Sequence, residues 1–107
     1  MNVITNNELR CTIALAALQH VLDPEIGLNV ADMGLIYQVD FDNGGKKIDV
    51  TMTLSTQLCS MGESITEAVK RALEQAFPEE DVTLTLSFDP PWNYERISEE
   101  GKEFLNR

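Results

Sequence analysis

The chain is poor in cysteine, histidine and bases, and it has no long apolar run. Two cysteines, at positions 11 and 59 of 107 residues, make no disulfide framework, and a chain with 43% apolar residues does not need one to fold. One histidine, His20, and no C-x-x-C or H-E-x-x-H motif exclude a closed zinc site built from a single chain. With 8 bases against 18 acids the formal charge is -10, which repels phosphate backbones and anionic lipid. The expected partners are proteins or cations, with no nucleic acid and no membrane. No stretch approaches the roughly 20 apolar residues that span a bilayer, and the opening MNVITNNELR lacks the basic and apolar regions of a signal peptide. These absences describe a cytoplasmic protein with free thiols. Repeats and low-complexity segments are missing too, so residues 1–107 read as one domain around one core.

What the chain does have is clear periodicity. Thr5-Asn6-Asn7-Glu8 has the spacing of a capping box, and Cys11, Ala14, Leu15, Leu18, Val21 and Leu22 follow on one helical stripe until Asp23-Pro24 stops it. From Leu35 the period becomes two: Leu35, Tyr37, Val39 and Phe41, then the turn Asp42-Asn43-Gly44-Gly45, then Ile48, Val50, Met52 and Leu54. This predicts a β-hairpin with one apolar face. A second helix is predicted from about Met61 to Phe77, where Ile65, Ala68, Val69, Ala72, Leu73, Ala76 and Phe77 hold helical spacing. Val82, Leu84, Leu86 and Phe88 mark a third strand, and Ile97 to Leu105 a short last helix. The expected fold is therefore α+β, a two-layer sandwich of order α-β-β-α-β(-α), with a small three-stranded sheet covered on one face by helices. The second and third strands, joined through a helix, are expected to be parallel. Strand order is not set by the pattern.

One cysteine stands where chemistry is favoured. Ser60-Met61-Gly62-Glu63 is an S-x-x-E capping box, which places Cys59 just before a helix start. Unpaired backbone N–H groups and the helix dipole there favour thiolate, the form needed by a soft-metal ligand or a nucleophile. The alternative is a small buried filler. Cys11 lies on an apolar stripe and is assigned to the core; His20 falls off that stripe and is assigned to solvent. Carboxylates gather in the irregular segments: Asp23 and Glu25, Asp32, and Asp89. Taken singly, such residues are ordinary turn and cap residues. Trp92, after two prolines, either folds back over the core or, with Pro91, anchors a partner. Exposed strand edges leave room for a homodimer.

Read together, LQHVLDPEIGLNVADMGLIYQV, VTMTLSTQLCSMGESITEAVKRAL and LSFDPPWNYERISEEGKEFL resemble the SufT/PaaD-like metal-sulfur cluster biosynthetic family, in the iron–sulfur cluster assembly domain superfamily. The likeness runs from about residue 8 to 105. Four features arrive in order: Asp-Pro-Glu at 23–25, Asp-x-Gly-Leu-Ile-Tyr at 32–37, a cysteine in the loop after Thr-x-Thr-Leu, and Asp-Pro-Pro-Trp at 89–92. The chain departs from the family pattern at Ser60, where proline commonly follows the cysteine.

The resemblance implies a non-enzymatic assembly or maturation factor with Cys59 as its functional thiol. Asp23, Glu25, Asp32 and Asp89 match the family's acidic positions, and Trp92 its closing motif. It further implies a transient iron–sulfur cluster or iron as cargo, with the iron–sulfur assembly machinery and recipient apoproteins as partners. Two other readings stand beside it. One is a PaaD-like accessory subunit of an oxygenase complex, although the chain has no further cysteines toward its C-terminus. The other is a thiol enzyme, which would lack a resolving cysteine and a local base.

Overall fold

In the computed structural model, Asn7 rather than Thr5 caps the first helix, α1 (Glu8–Leu18): its side-chain oxygen accepts the Arg10 backbone N–H at 3.0 Å. Thr5 lies instead in a two-residue strand, β1 (Ile4–Thr5), and its hydroxyl accepts the Asn7 N–H at 3.2 Å. The structure describes residues 3–23, 26–42, 46–54, 62–89 and 91–106. α1 ends before the Asp23-Pro24 stop because the chain folds back at once. The Val30 N–H donates to the Val21 carbonyl at 2.9 Å and Leu22 bridges Asn29, so Val21 is buried while Leu22 is exposed.

The hairpin forms as its alternation predicts, from β2 (Ile36–Asp42) and β3 (Lys47–Met52), paired antiparallel with Val39 opposite Val50 and Phe41 opposite Ile48. The pairing shifts between Ile36 and Gln38, leaving Tyr37 as the extra residue of a bulge; Ile36 and Tyr37 are therefore both buried. The following helix, α2 (Gly62–Ala76), leads to β4 (Asp81–Leu86), which pairs parallel to β3 as expected. β4 stops at Leu86, short of Phe88, and Leu86 is exposed.

The expected three strands are four, in the order β1-β2-β3-β4. The missed strand is β1, parallel to β2, and two residues are too few to show a period. With it, the fold becomes two strand-helix-strand units, β1-α1-β2 and β3-α2-β4, joined by the hairpin. α1 packs against α2, and α2 against β4. The core lies between this helical layer and the sheet, where Ala14 and Leu18 meet Val69, Leu73, Val39, Ile48 and Val50. Each valine, leucine or isoleucine side chain buried there contributes about 1.5–3 kcal/mol. Beyond β4, a turn of 3-10 helix (Tyr94–Arg96) and α3 (Glu99–Leu105) return across the molecule as a strap.

Candidate functional site

The acidic turn after α1 is built on backbone hydrogen bonds around Asp23. Its N–H donates to the Leu28 carbonyl at 2.9 Å, and its own carbonyl accepts the Gly27 N–H at 2.7 Å. Gly27 has φ +83°, a left-handed conformation that few other residues adopt at low cost. Asp23 is 1% exposed, an unusual position for a carboxylate. Glu25 lies outside the described residues.

Asp32 is used differently. Its Oδ2 accepts the Asn29 amide at 2.7 Å and its Oδ1 accepts the Ser98 hydroxyl at 3.0 Å. Its backbone N–H donates to Asn29 Oδ1 at 2.8 Å, and its carbonyl accepts the Ser98 N–H at 2.8 Å. Ser98 in turn caps α3 by accepting the Gly101 N–H at 3.0 Å. Both oxygens of the Asp32 carboxylate are thus engaged in fastening the strap to the start of β2.

Two more strap residues grip the same loop. Trp92 Nε1 donates to the Met33 carbonyl at 2.6 Å, and its ring packs half-buried against the core. Arg96 Nε donates to the Gly34 carbonyl at 3.0 Å, and its guanidinium lies 4.2 Å from the centroid of the Tyr37 ring, covering the bulge. Gly34 is required for this approach. It has φ +74°, and a Cβ there would fall 2.3 Å from the Arg96 carbonyl oxygen. Asp89 and Pro91 are exposed at the start of the strap, where the Ser87 hydroxyl donates to the Asp89 carbonyl at 3.1 Å.

Cys59, with the capping box of Ser60, lies outside the described residues. The end of β3 that leads to it is well fixed: the Thr53 N–H donates to the Leu35 carbonyl at 2.8 Å, and Thr53 and Leu54 are buried. Thr53 therefore joins the cysteine-bearing connection to the loop that holds Asp32. Asp32 and Trp92, distant in sequence, meet at that loop, and Asp23 is tied to its near end by the Leu28 carbonyl. Asp89 stays on the exposed lead of the strap. Asn29, Gly34, Thr53, Arg96 and Ser98 were not singled out by the sequence. Gly34, inside the Asp-x-Gly motif, Thr53, inside Thr-x-Thr-Leu, and Ser98, in S-x-x-G spacing before α3, leave a local trace.

The other thiol is accounted for. Cys11 is 4% exposed within the core, and burial pushes its thiol above the ordinary range, partly offset by a hydrogen bond with Thr5. His20 is exposed, as expected. Among the described residues no three His, Cys, Asp or Glu side chains come together as a metal-binding group. A cleft of about 700 Å³ beside the strap is lined by Arg96 and Lys102 but also by Glu95, Glu99 and Glu100, so neither sign of charge dominates it.

Comparison with known proteins adds a direct finding. A family model described as iron–sulfur cluster assembly protein matches residues 13–86. The chain is 42% identical over 84 residues to an Fe-S protein maturation auxiliary factor of Porphyromonas gingivalis, a match covering 78% of this chain and 79% of that one. It is 34% identical over 82 residues to the Fe-S protein maturation auxiliary factor SufT of Staphylococcus aureus, covering 77% and 92%. Among solved structures, a domain of unknown function from Bacillus anthracis superposes with a TM-score of 0.86 at 32% identity, over 92% of this chain and 93% of that one.

Proposed function

The chain belongs to the family of iron–sulfur cluster assembly proteins, and we propose that it serves as a SufT-like maturation factor that passes clusters or iron to recipient apoproteins through Cys59. The observation that carries this reading is the match, over about four-fifths of the chain, to proteins bearing the name of Fe-S maturation auxiliary factors. The same names favour maturation over an accessory role in an oxygenase complex. The role is non-catalytic and cytoplasmic in this reading; among the described residues no helix is long and apolar enough to cross a membrane.

The supply of ligands defines how such a factor would work. An iron–sulfur cluster usually takes four thiolates. With Cys11 buried and its thiol pushed up, Cys59 is the remaining thiol of the chain. A cluster would be shared between two copies, with a partner protein, or with an external thiol, and shared ligation makes it cargo. In this reading Asp32 orients the loop through Ser98 and Asn29, Asp23 supports the turn in which it is buried, and Glu25 and Asp89 are the acids that approach iron.

Anaerobic reconstitution with iron and sulfide tests the proposal, with bound iron and labile sulfide measured per chain. The wild type is expected to retain both, at half a cluster per chain if two copies share it, and Cys59→Ser to lose them. Equal retention by Cys59→Ser would remove the thiol from the mechanism. No retention by either would leave an adaptor that binds cluster only jointly with its partners.

A further inference from the structure

The outer side of helix α1 is largely apolar, with Glu8 and Thr12 as an exposed polar edge beside it. Cys11, Ala14 and Leu18 are buried on one side, while on the other Leu9 is 74% exposed, Ile13 47% exposed, and Ala16 exposed. These three stand at i, i+4 and i+7, one continuous stripe. Ile4 in β1 and Leu22 after the helix are exposed as well. Apolar residues on both the inward and the outward side of a helix mark one that is covered on more than one side.

The distribution of charge indicates what covers it. Residues 1–22 contain one acid, Glu8, and one base, Arg10, and Arg10 is ion-paired with Glu80 and stacked on Phe41 and Phe77. From residue 11 to 22 there is no Asp, Glu, Lys or Arg, so the whole net charge of -10 resides in residues 23–107. A basic partner, the natural match for the rest of the surface, finds only Glu8 to pair with here. Two copies of the chain repel one another through most of their surface and least through this face.

We propose that the outer face of α1 is a self-association surface, on which two copies pack their α1 helices antiparallel about a two-fold axis near Ile13. Leu9 of each copy then lies over the small Ala16 of the other, and the same patch serves both chains. Three side chains per copy make a contact well below the roughly 800 Å² per partner of a standard interface, so the dimer is weak and depends on concentration. It requires neither iron nor Cys59, so its outcome is separate from that of the cluster reading.

Sedimentation equilibrium of the metal-free full chain, over roughly two decades of concentration, tests it. The wild type and Cys59→Ser are expected to rise twofold in mass. Ile13→Glu and Ile13→Lys are each expected to remain single chains with the melting temperature that the wild type shows when dilute, since Ile13 is 47% exposed in the single chain. Mixed in equal amounts, these two variants are expected to recover the dimer, because a two-fold axis sets position 13 against itself. A wild type that stays monomeric across the range overturns the proposal and assigns the stripe to another protein. So does a dimer undiminished in Ile13→Glu, or a failure of the two variants to recombine.

Discussion

The two helices of the helical layer turn nearly equivalent faces toward the sheet and very different faces away from it. On α2, Ile65, Val69 and Leu73 are buried, and Glu63, Glu67, Lys70, Arg71 and Glu74 are exposed on the far side. On α1, Ala14 and Leu18 are buried just as fully, yet Leu9 and Ile13 occupy the exposed side. The inward stripes satisfy one requirement, removal of apolar area from water. The outward faces answer separate ones: α2 is finished by solvent, whereas α1 in a single copy is unfinished. Similar helical periods in sequence therefore conceal helices with different surroundings.

The strongest way to break this comparison is to show that the inward faces are not equivalent. Leu18→Ala in α1 and Leu73→Ala in α2 are each expected to lower stability by about 2–5 kcal/mol, the range for a fully buried leucine. Urea denaturation measures both, and a small loss for either one would mean that its helix is not a full partner in the core.

A chemical difference between the inward faces sharpens it further. Only α1 places an ionisable group there, Cys11, whose thiol burial raises. A raised value in the folded state means that the folded chain holds the proton more tightly than the unfolded one. The stabilisation is complete below the ordinary thiol range, near about 8.5, and is lost as pH rises through the folded value. Denaturation followed from neutral to alkaline pH should show this decline in the wild type and in Cys59→Ser, and a reduced decline in Cys11→Ala. An identical profile for Cys11→Ala would assign the decline to other groups.

The smallest effect belongs to the outer face of α2. Lys70→Ala is expected to change stability by no more than about 0.5 kcal/mol, since the side chain is exposed on a face already satisfied by water. A larger change in the melting curve would show that this face, like that of α1, has a contact to lose.

The inward stripes of both helices and the alternation of the hairpin were legible in the sequence because burial repeats locally, every three to four residues in a helix and every two in a strand. The site was legible only in part. Asp23 and Asp32 were marked as acids of irregular segments, but nothing local showed that one would be buried in a turn closed by Gly27. Nor did it show that the other would fasten a strap through Ser98, 66 residues away. Trp92 had two readings, and its bond to the Met33 carbonyl with half-burial against the core shows the ring folded back over the core.

By itself, then, the sequence determined the α+β class, the order of the long elements, the inward stripes of the helices and the hairpin, and membership in an iron–sulfur cluster assembly family. Each rests on repeating patterns or on short motifs in fixed order, which a linear chain records. Tertiary structure decided the strand β1, the bulge at Tyr37 beneath Arg96, and the joining of Asp32, Gly34 and Trp92 at one loop. Those features depend on single contacts between residues far apart in the chain, made after the core has set the distances, and a contact of that kind has no period to leave in the sequence.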